Sequence, residues 1–104
     1  MRKAFLQQKA KEDVREIVLY IADDNLKAAE AFRLALERVR LTLADLPEVG
    51  RVYDFGKREL KGLRMLPVPD FTKYLVFYVY REPEEEVEIF RVLHGARDIP
   101  ALFL

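Results

Sequence analysis

The hydrophobic pattern of this chain changes period once, near residue 50, and that change limits the fold more than any other feature. Leu26, Ala29, Phe32, Leu36, Val39, Leu43 and Leu46 step by three or four residues, the spacing of one face of an α-helix. Pro47 and Gly50 end the stripe, because proline cannot continue a helix and glycine commonly follows its end. Lys73 to Arg81 is instead rich in Tyr, Phe and Val and apolar at successive positions, as in a strand buried on both faces. A helical first half and an extended second half point to the α+β class.

The remaining elements follow from local patterns. Residues 3–7 alternate weakly and predict a short strand. From about residue 8, Ala10, Val14, Ile17, Val18 and Ile21 form a helical stripe, which Asp23, Asp24 and Asn25 interrupt. Asn25 is suited to cap the second helix, and so short a turn predicts an antiparallel helical hairpin. Arg51 to Phe55 reads as irregular or as a short strand, and Gly56 to Lys61 as a charged connection. Leu63 to Leu66 begins an extended segment in which Pro67 and Pro69 imply an edge position or a strand end. Val87 to Leu93 is the last strand, with Arg81 to Glu86 as the hairpin turn before it. The acidic run Glu84, Glu85, Glu86 beside Pro83 is read as part of that solvated turn. The order is strand, helix, helix, then three strands: a helical hairpin packed on a small, twisted antiparallel sheet of three or four strands. Residues 1–104 are read as one domain.

Composition removes several kinds of chemistry. With 51% hydrophobic and 35% charged residues, the chain is globular rather than disordered. Its apolar runs are far shorter than the roughly 20 residues that span a bilayer, and no signal core follows Arg2 and Lys3. A cytoplasmic protein without a membrane partner is expected. The chain has no cysteine and no serine, and His94 is its only histidine. Disulfides, thiolate metal sites, serine or cysteine nucleophiles and multi-histidine zinc sites are thereby excluded. No cofactor and no metal is expected. Lys plus Arg and Asp plus Glu both number 18, which counts against a protein that lives on nucleic-acid phosphates.

The chain resembles the RelE/ParE toxin superfamily. On the hairpin the pattern is Ala10, Asp13, Ile17, Tyr20-Ile21-Ala22, Asn25, Ala28-Ala29 and Phe32. In the sheet it is Leu60, Gly62-Leu63-Arg64, Pro67-Val68, Phe71 and Tyr74-Leu75-Val76-Phe77-Tyr78, ending in Arg91-Val92-Leu93-His94-Gly95-Ala96-Arg97-Asp98-Ile99. That ending carries most of the specificity. Where members usually place Ser or Thr with Pro before the first helix, this chain has Gln7-Gln8, so the helix is expected to start without its usual cap.

The resemblance implies a toxin of a bacterial type II toxin–antitoxin pair, neutralised by a cognate antitoxin whose extended tail adds a helix or strand to the toxin. A homodimer or a toxin–antitoxin hetero-oligomer would cover leftover apolar surface. The ParE-like branch, which this chain resembles more, implies poisoning of DNA gyrase by binding, with no catalytic residue. The RelE-like alternative, cleavage of messenger RNA on the ribosome, needs a base, an acid and positive charge at the phosphate. Its candidates are Arg64, His94 and Arg97, with charge from Lys57, Arg58 and Lys61. RelE-like enzymes commonly end in a catalytic Tyr or His-Tyr pair. Here no Tyr follows Tyr80, and the corresponding region holds Phe103. A second alternative is a non-toxic partner and co-repressor of the antitoxin.

The surfaces expected to bind target or antitoxin are the exposed face of the hairpin and Arg64, Arg91, His94, Gly95, Arg97 and Asp98. Each also has a plain reading. His94 would end the strand with its ring bonded to a backbone carbonyl, Gly95 would supply a positive φ, and Arg97 would pair locally with Asp98. Arg64 would be an exposed strand residue. The cluster Tyr74, Phe77, Tyr78 and Tyr80 would be core rather than a base-stacking platform.

Overall fold

The computed structural model describes residues 2–54 and 61–103, so the expectations for Phe55, Gly56, Lys57, Arg58 and Leu60 lie outside the described residues. The elements are β1 (Lys3–Leu6), α1 (Gln8–Asp24), α2 (Leu26–Asp45), β2 (Arg51–Val52), β3 (Arg64–Val68), β4 (Phe71–Arg81), β5 (Glu86–His94) and α3 (Ile99–Leu102). The α+β class and the helical hairpin are those read from the sequence. The sheet is larger than expected, with five strands in the order β1-β5-β4-β3-β2. It is also mixed. β1 runs parallel to β5, Lys3 opposite Glu86 and Leu6 opposite Ile89, while every other pair is antiparallel. A strand that leads into a two-helix crossover returns to the sheet edge in this way, and only the crossover's length permits it.

Asn25 performs two tasks at the bend of the hairpin. Its backbone N–H donates to Ile21 O at 2.8 Å to close α1, and its side-chain oxygen accepts from Ala28 N at 3.0 Å to open α2. Gln7, as its residue type predicts, makes no capping bond at the start of α1. The carbonyls of Ala44 and Asp45 at the end of α2 accept from the Arg2 guanidinium at 3.3 and 3.2 Å, replacing partners the helix lacks there.

The sheet is buried on both faces, as the two-sided apolar pattern of β4 requires. Val76 and Tyr78 face the hairpin and pack with Phe32, Val39, Leu43, Val87 and Ile89. Phe77 and Val79, alternating with them, face the opposite side, where Leu63, Leu93, Ile99, Leu102 and Phe103 cover the sheet. The stripe on α2 is core from Ala29 to Leu43, but its two ends, Leu26 and Leu46, are exposed. Phe77 and Tyr78 are fully buried, and Tyr74 and Tyr80 pack half-buried against the hairpin core. The aromatic cluster is therefore core. Pro67 stands in β3 beyond the reach of two-residue β2, beside a register shift between Pro67 and Val68, so its missing N–H costs no ladder bond. Among the described residues, no helix is long and apolar enough to cross a membrane.

Candidate functional site

The residues singled out near the end of the chain are organised by a bulge in β5. Phe77 faces Arg91 and Tyr78 faces Ile89, so Phe90 is the extra residue. Before the bulge, the outward groups of β5 and of the turn residue just ahead of it belong to odd-numbered residues: the carbonyls of Glu85 and Ile89 accept from Lys3 N and Gln7 N. After it, the parity shifts to Val92 and His94. The register that serves β1 therefore ends at the bulge, and the chain leaves the edge to form α1.

Asp13 takes over where β1 stops. Its carboxylate accepts from Val92 N at 3.0 Å and, in bidentate fashion, from Arg91 Nε at 2.7 Å and Nη2 at 2.8 Å. Asp13 is the one buried charged residue among those described. The remaining Arg91 nitrogen, Nη1, donates to Leu102 O, so one guanidinium joins α1, β5 and α3. The bond to Asp13 raises the Arg91 pKa above its already high value, against the opposing effect of desolvation. Arg91, expected as a surface contact, is instead mostly covered and held between Asp13 and the Leu102 carbonyl. Its partner is legible in the sequence as an acid three residues after Ala10 on the inner side of α1.

A cleft of about 510 Å³ opens between α1 and the end of β5, lined by Asp13, Glu16, Ile17, Tyr20, Tyr74, Val92, Leu93, His94 and Arg97. Its size lies within the range of small-ligand sites. Burial, and then the nearby Tyr20 hydroxyl, push the Tyr74 phenol pKa upward. The rings of Tyr74 and His94 meet edge-to-face at 5.2 Å. His94 ends the strand as expected, but its ring accepts rather than donates: Nδ1 takes the Ala96 N–H at 3.0 Å. Ring and turn thus hold each other, and no carbonyl is needed. Glu16, Ile17 and Tyr20 were not among the expected site residues, because helical periodicity assigns a face but not the strand that face meets.

The other expectations divide. Gly95 does not have a positive φ; among the glycines described only Gly62 does. A Cβ at Gly95 would lie 3.3 Å from Leu75 Cδ1, tighter than ordinary contact, so close approach is the constraint there. Arg97 and Asp98 are exposed, and no ion pair joins them. Lys61 is exposed as well. Arg64 is half-buried rather than exposed, donating to Gly50 O at 2.7 Å and Glu48 O at 3.2 Å, and thereby fixing the loop after α2. It stands opposite Tyr78 and His94 opposite Tyr74. The two are separated by four residues along β4, about 13 Å, and by two strand spacings, about 10 Å. His94 and Arg97 share a cleft; Arg64 belongs to another part of the molecule. Among the described residues no cluster of acidic and histidine side chains could hold a metal ion.

Residues 5–99 match the model of a family described as the ParE toxin of the type II toxin–antitoxin system, parDE. Among solved structures, the chain is similar to one described as a chromosomal ParDE TA system from P. aeruginosa. The TM-score is 0.62 at 18% identity, over 90% of this chain and 96% of that one, a likeness of fold. No curated protein matches the sequence.

Proposed function

Because the chain belongs to the ParE toxin family of type II toxin–antitoxin systems, we propose that it acts by binding: it poisons DNA gyrase, and a cognate antitoxin neutralises it. The observation that carries this reading is the apolar surface of the helical hairpin. Tyr20 (76% exposed) and Leu26 (77%) stand near its bend, and Leu34 (55%) and Leu41 (54%) lie two turns apart on α2. Single exposed leucines are ordinary on a small protein. Several on one hairpin, next to a core that is otherwise closed, suit a surface that a partner covers. Arg64 supports the same reading, because the Gly50 and Glu48 carbonyls already hold its guanidinium.

The test is a supercoiling assay with purified gyrase, titrated with this protein and then with its antitoxin. Inhibition with accumulated cleaved DNA, reversed by antitoxin, is the expected result. A folded protein that arrests growth yet leaves gyrase untouched would overturn it. The second reading, a ribosome-dependent endoribonuclease, is favoured by one observation, the shared cleft of His94 and Arg97. It predicts that His94→Ala and Arg97→Ala abolish toxicity while antitoxin binding persists.

A further inference from the structure

The bonds from β1 to β5 fix which main-chain groups of β1 lie at the sheet edge. Lys3 N donates to Glu85 O at 3.1 Å and Gln7 N to Ile89 O at 2.9 Å, and the N–H and C=O of one strand residue point the same way. Lys3, Phe5 and Gln7 therefore face β5, while Ala4 and Leu6 direct their main-chain groups outward. Neither outward N–H has a partner among the described residues. The first turn of α1 draws on the Gln7 carbonyl, which accepts from Lys11 N at 3.0 Å, so the Leu6 carbonyl stays at the edge. The Ala4 carbonyl is occupied, by Arg40 Nη1 of α2 at 3.1 Å. Glu37, one turn earlier on α2, accepts from the other nitrogens of that guanidinium, Nε at 3.0 and 3.2 Å and Nη2. The edge is reachable: a cleft of about 380 Å³ opens between β1 and α2, lined in part by Leu6, Leu34, Glu37 and Arg40.

We propose that this edge is a latent self-pairing surface, fitted to a second copy of this chain, and that Arg40 holds it shut. An N–H and a C=O on each of two alternate residues make the edge self-complementary. With a twofold axis through Phe5, Ala4 of one copy stands opposite Leu6 of the other. Each such pair exchanges N–H···O bonds in both directions, the antiparallel pattern. Half-buried Phe5 would meet its own copy at the axis, and Lys3 would meet Gln7, so no like charges oppose the pairing along the strand. Arg40 does oppose it. Half of the inter-strand bonds need the Ala4 carbonyl, which the guanidinium already occupies. A charged side chain at an unpaired strand is also a common guard against edge-to-edge association, and the bonds to Glu37 keep this one in place. Nothing in this pairing depends on which target the protein binds.

The experiment is sedimentation velocity of the full chain over a concentration series, for the parent, Arg40→Ala and Arg40→Met. The Met variant keeps an aliphatic stem on α2 while removing the donor, and circular dichroism checks that each variant is folded. Both are expected to form dimers roughly tenfold to hundredfold more tightly than the parent. Hydrogen exchange at the Ala4 and Leu6 amides should slow in those dimers. Adding Phe5→Lys, which sets like charges against each other on the axis, should return either variant to the parent's behaviour. If neither folded variant associates more tightly than the parent, Arg40 is no guard and the proposal falls. If dimers form with the Ala4 and Leu6 amides exchanging as in the monomer, or form equally well with Phe5→Lys, another surface pairs and the assignment of the β1 edge is wrong.

Discussion

Removing the Asp13 carboxylate would strand the mostly covered Arg91 guanidinium and the buried Val92 N–H at the same time. Asp13→Ala is expected to lose about 3–5 kcal/mol of unfolding free energy, as for a buried pair that loses one partner. A urea titration measures it, and a loss below about 1 kcal/mol would show that the pair is not structural. Gly50 is constrained for a different reason. A Cβ there would sit 2.6 Å from the Tyr78 hydroxyl oxygen and 2.9 Å from Met65 O, so Gly50→Ala should cost about 1–3 kcal/mol through overpacking. A thermal melt of Gly50→Ala beside Gly50→Ala/Tyr78→Phe checks the cause, because removing the hydroxyl should recover part of the loss. Tyr78 also sets an alkaline limit. Burial raises its phenol above the ordinary value of 10.0, although the Gly50 N–H and Arg64 act in the other direction. A raised pKa means that the folded state holds the proton more tightly. This contribution is complete below pH about 10 and is lost as pH rises from there through the folded value. Stability measured against pH should decline above pH about 10, and the decline should be shallower in Tyr78→Phe.

At the scale of elements, the joint between the helices depends on one side chain. Asn25→Ala removes the acceptor for Ala28 N and should cost about 1 kcal/mol. Asn25→Asp, which keeps an acceptor at the cap, should lose much less. Denaturant midpoints for the two variants decide this, and equal losses would mean that the cap contributes nothing. β1 and β5 show how one extra residue redirects a chain. The inserted Phe90 changes which groups of β5 face outward, so β1 stops pairing at Leu6 and α1 begins at Gln8. The sequence places β1, β4 and β5 within a residue or two, but the bulge is invisible in it. Val87 to Leu93 alternates imperfectly, and that irregularity alone does not say which residue is surplus.

For the whole molecule, the division between buried sheet and exposed hairpin makes a direct prediction. Leu34→Glu/Leu41→Glu alters exposed positions of α2, so stability should stay within about 1 kcal/mol of the parent. The same variant should lose gyrase inhibition or antitoxin binding, measured by supercoiling and by titration calorimetry. Loss of neither would remove the hairpin face as a binding surface. Much of this organisation was legible in the sequence: the change of period near residue 50, the Asn25 cap, the uncapped Gln7 start, the two-sided burial of β4 and the turn at Glu84 and Glu85. These depend on neighbours within a few positions, and short-range sterics and periodicity settle them. Other features exist only once distant segments meet. The parallel seat of β1 beside β5, the Asp13–Arg91 pair across 78 positions, the engagement of Arg64 by the loop after α2 and the cleft shared by Tyr20, His94 and Arg97 are all of this kind. Sequence patterns report which face of an element is apolar, whereas its partner is set by the packing of all elements at once. The residue types at the site were therefore readable from the chain, and their grouping was decided by the tertiary structure alone.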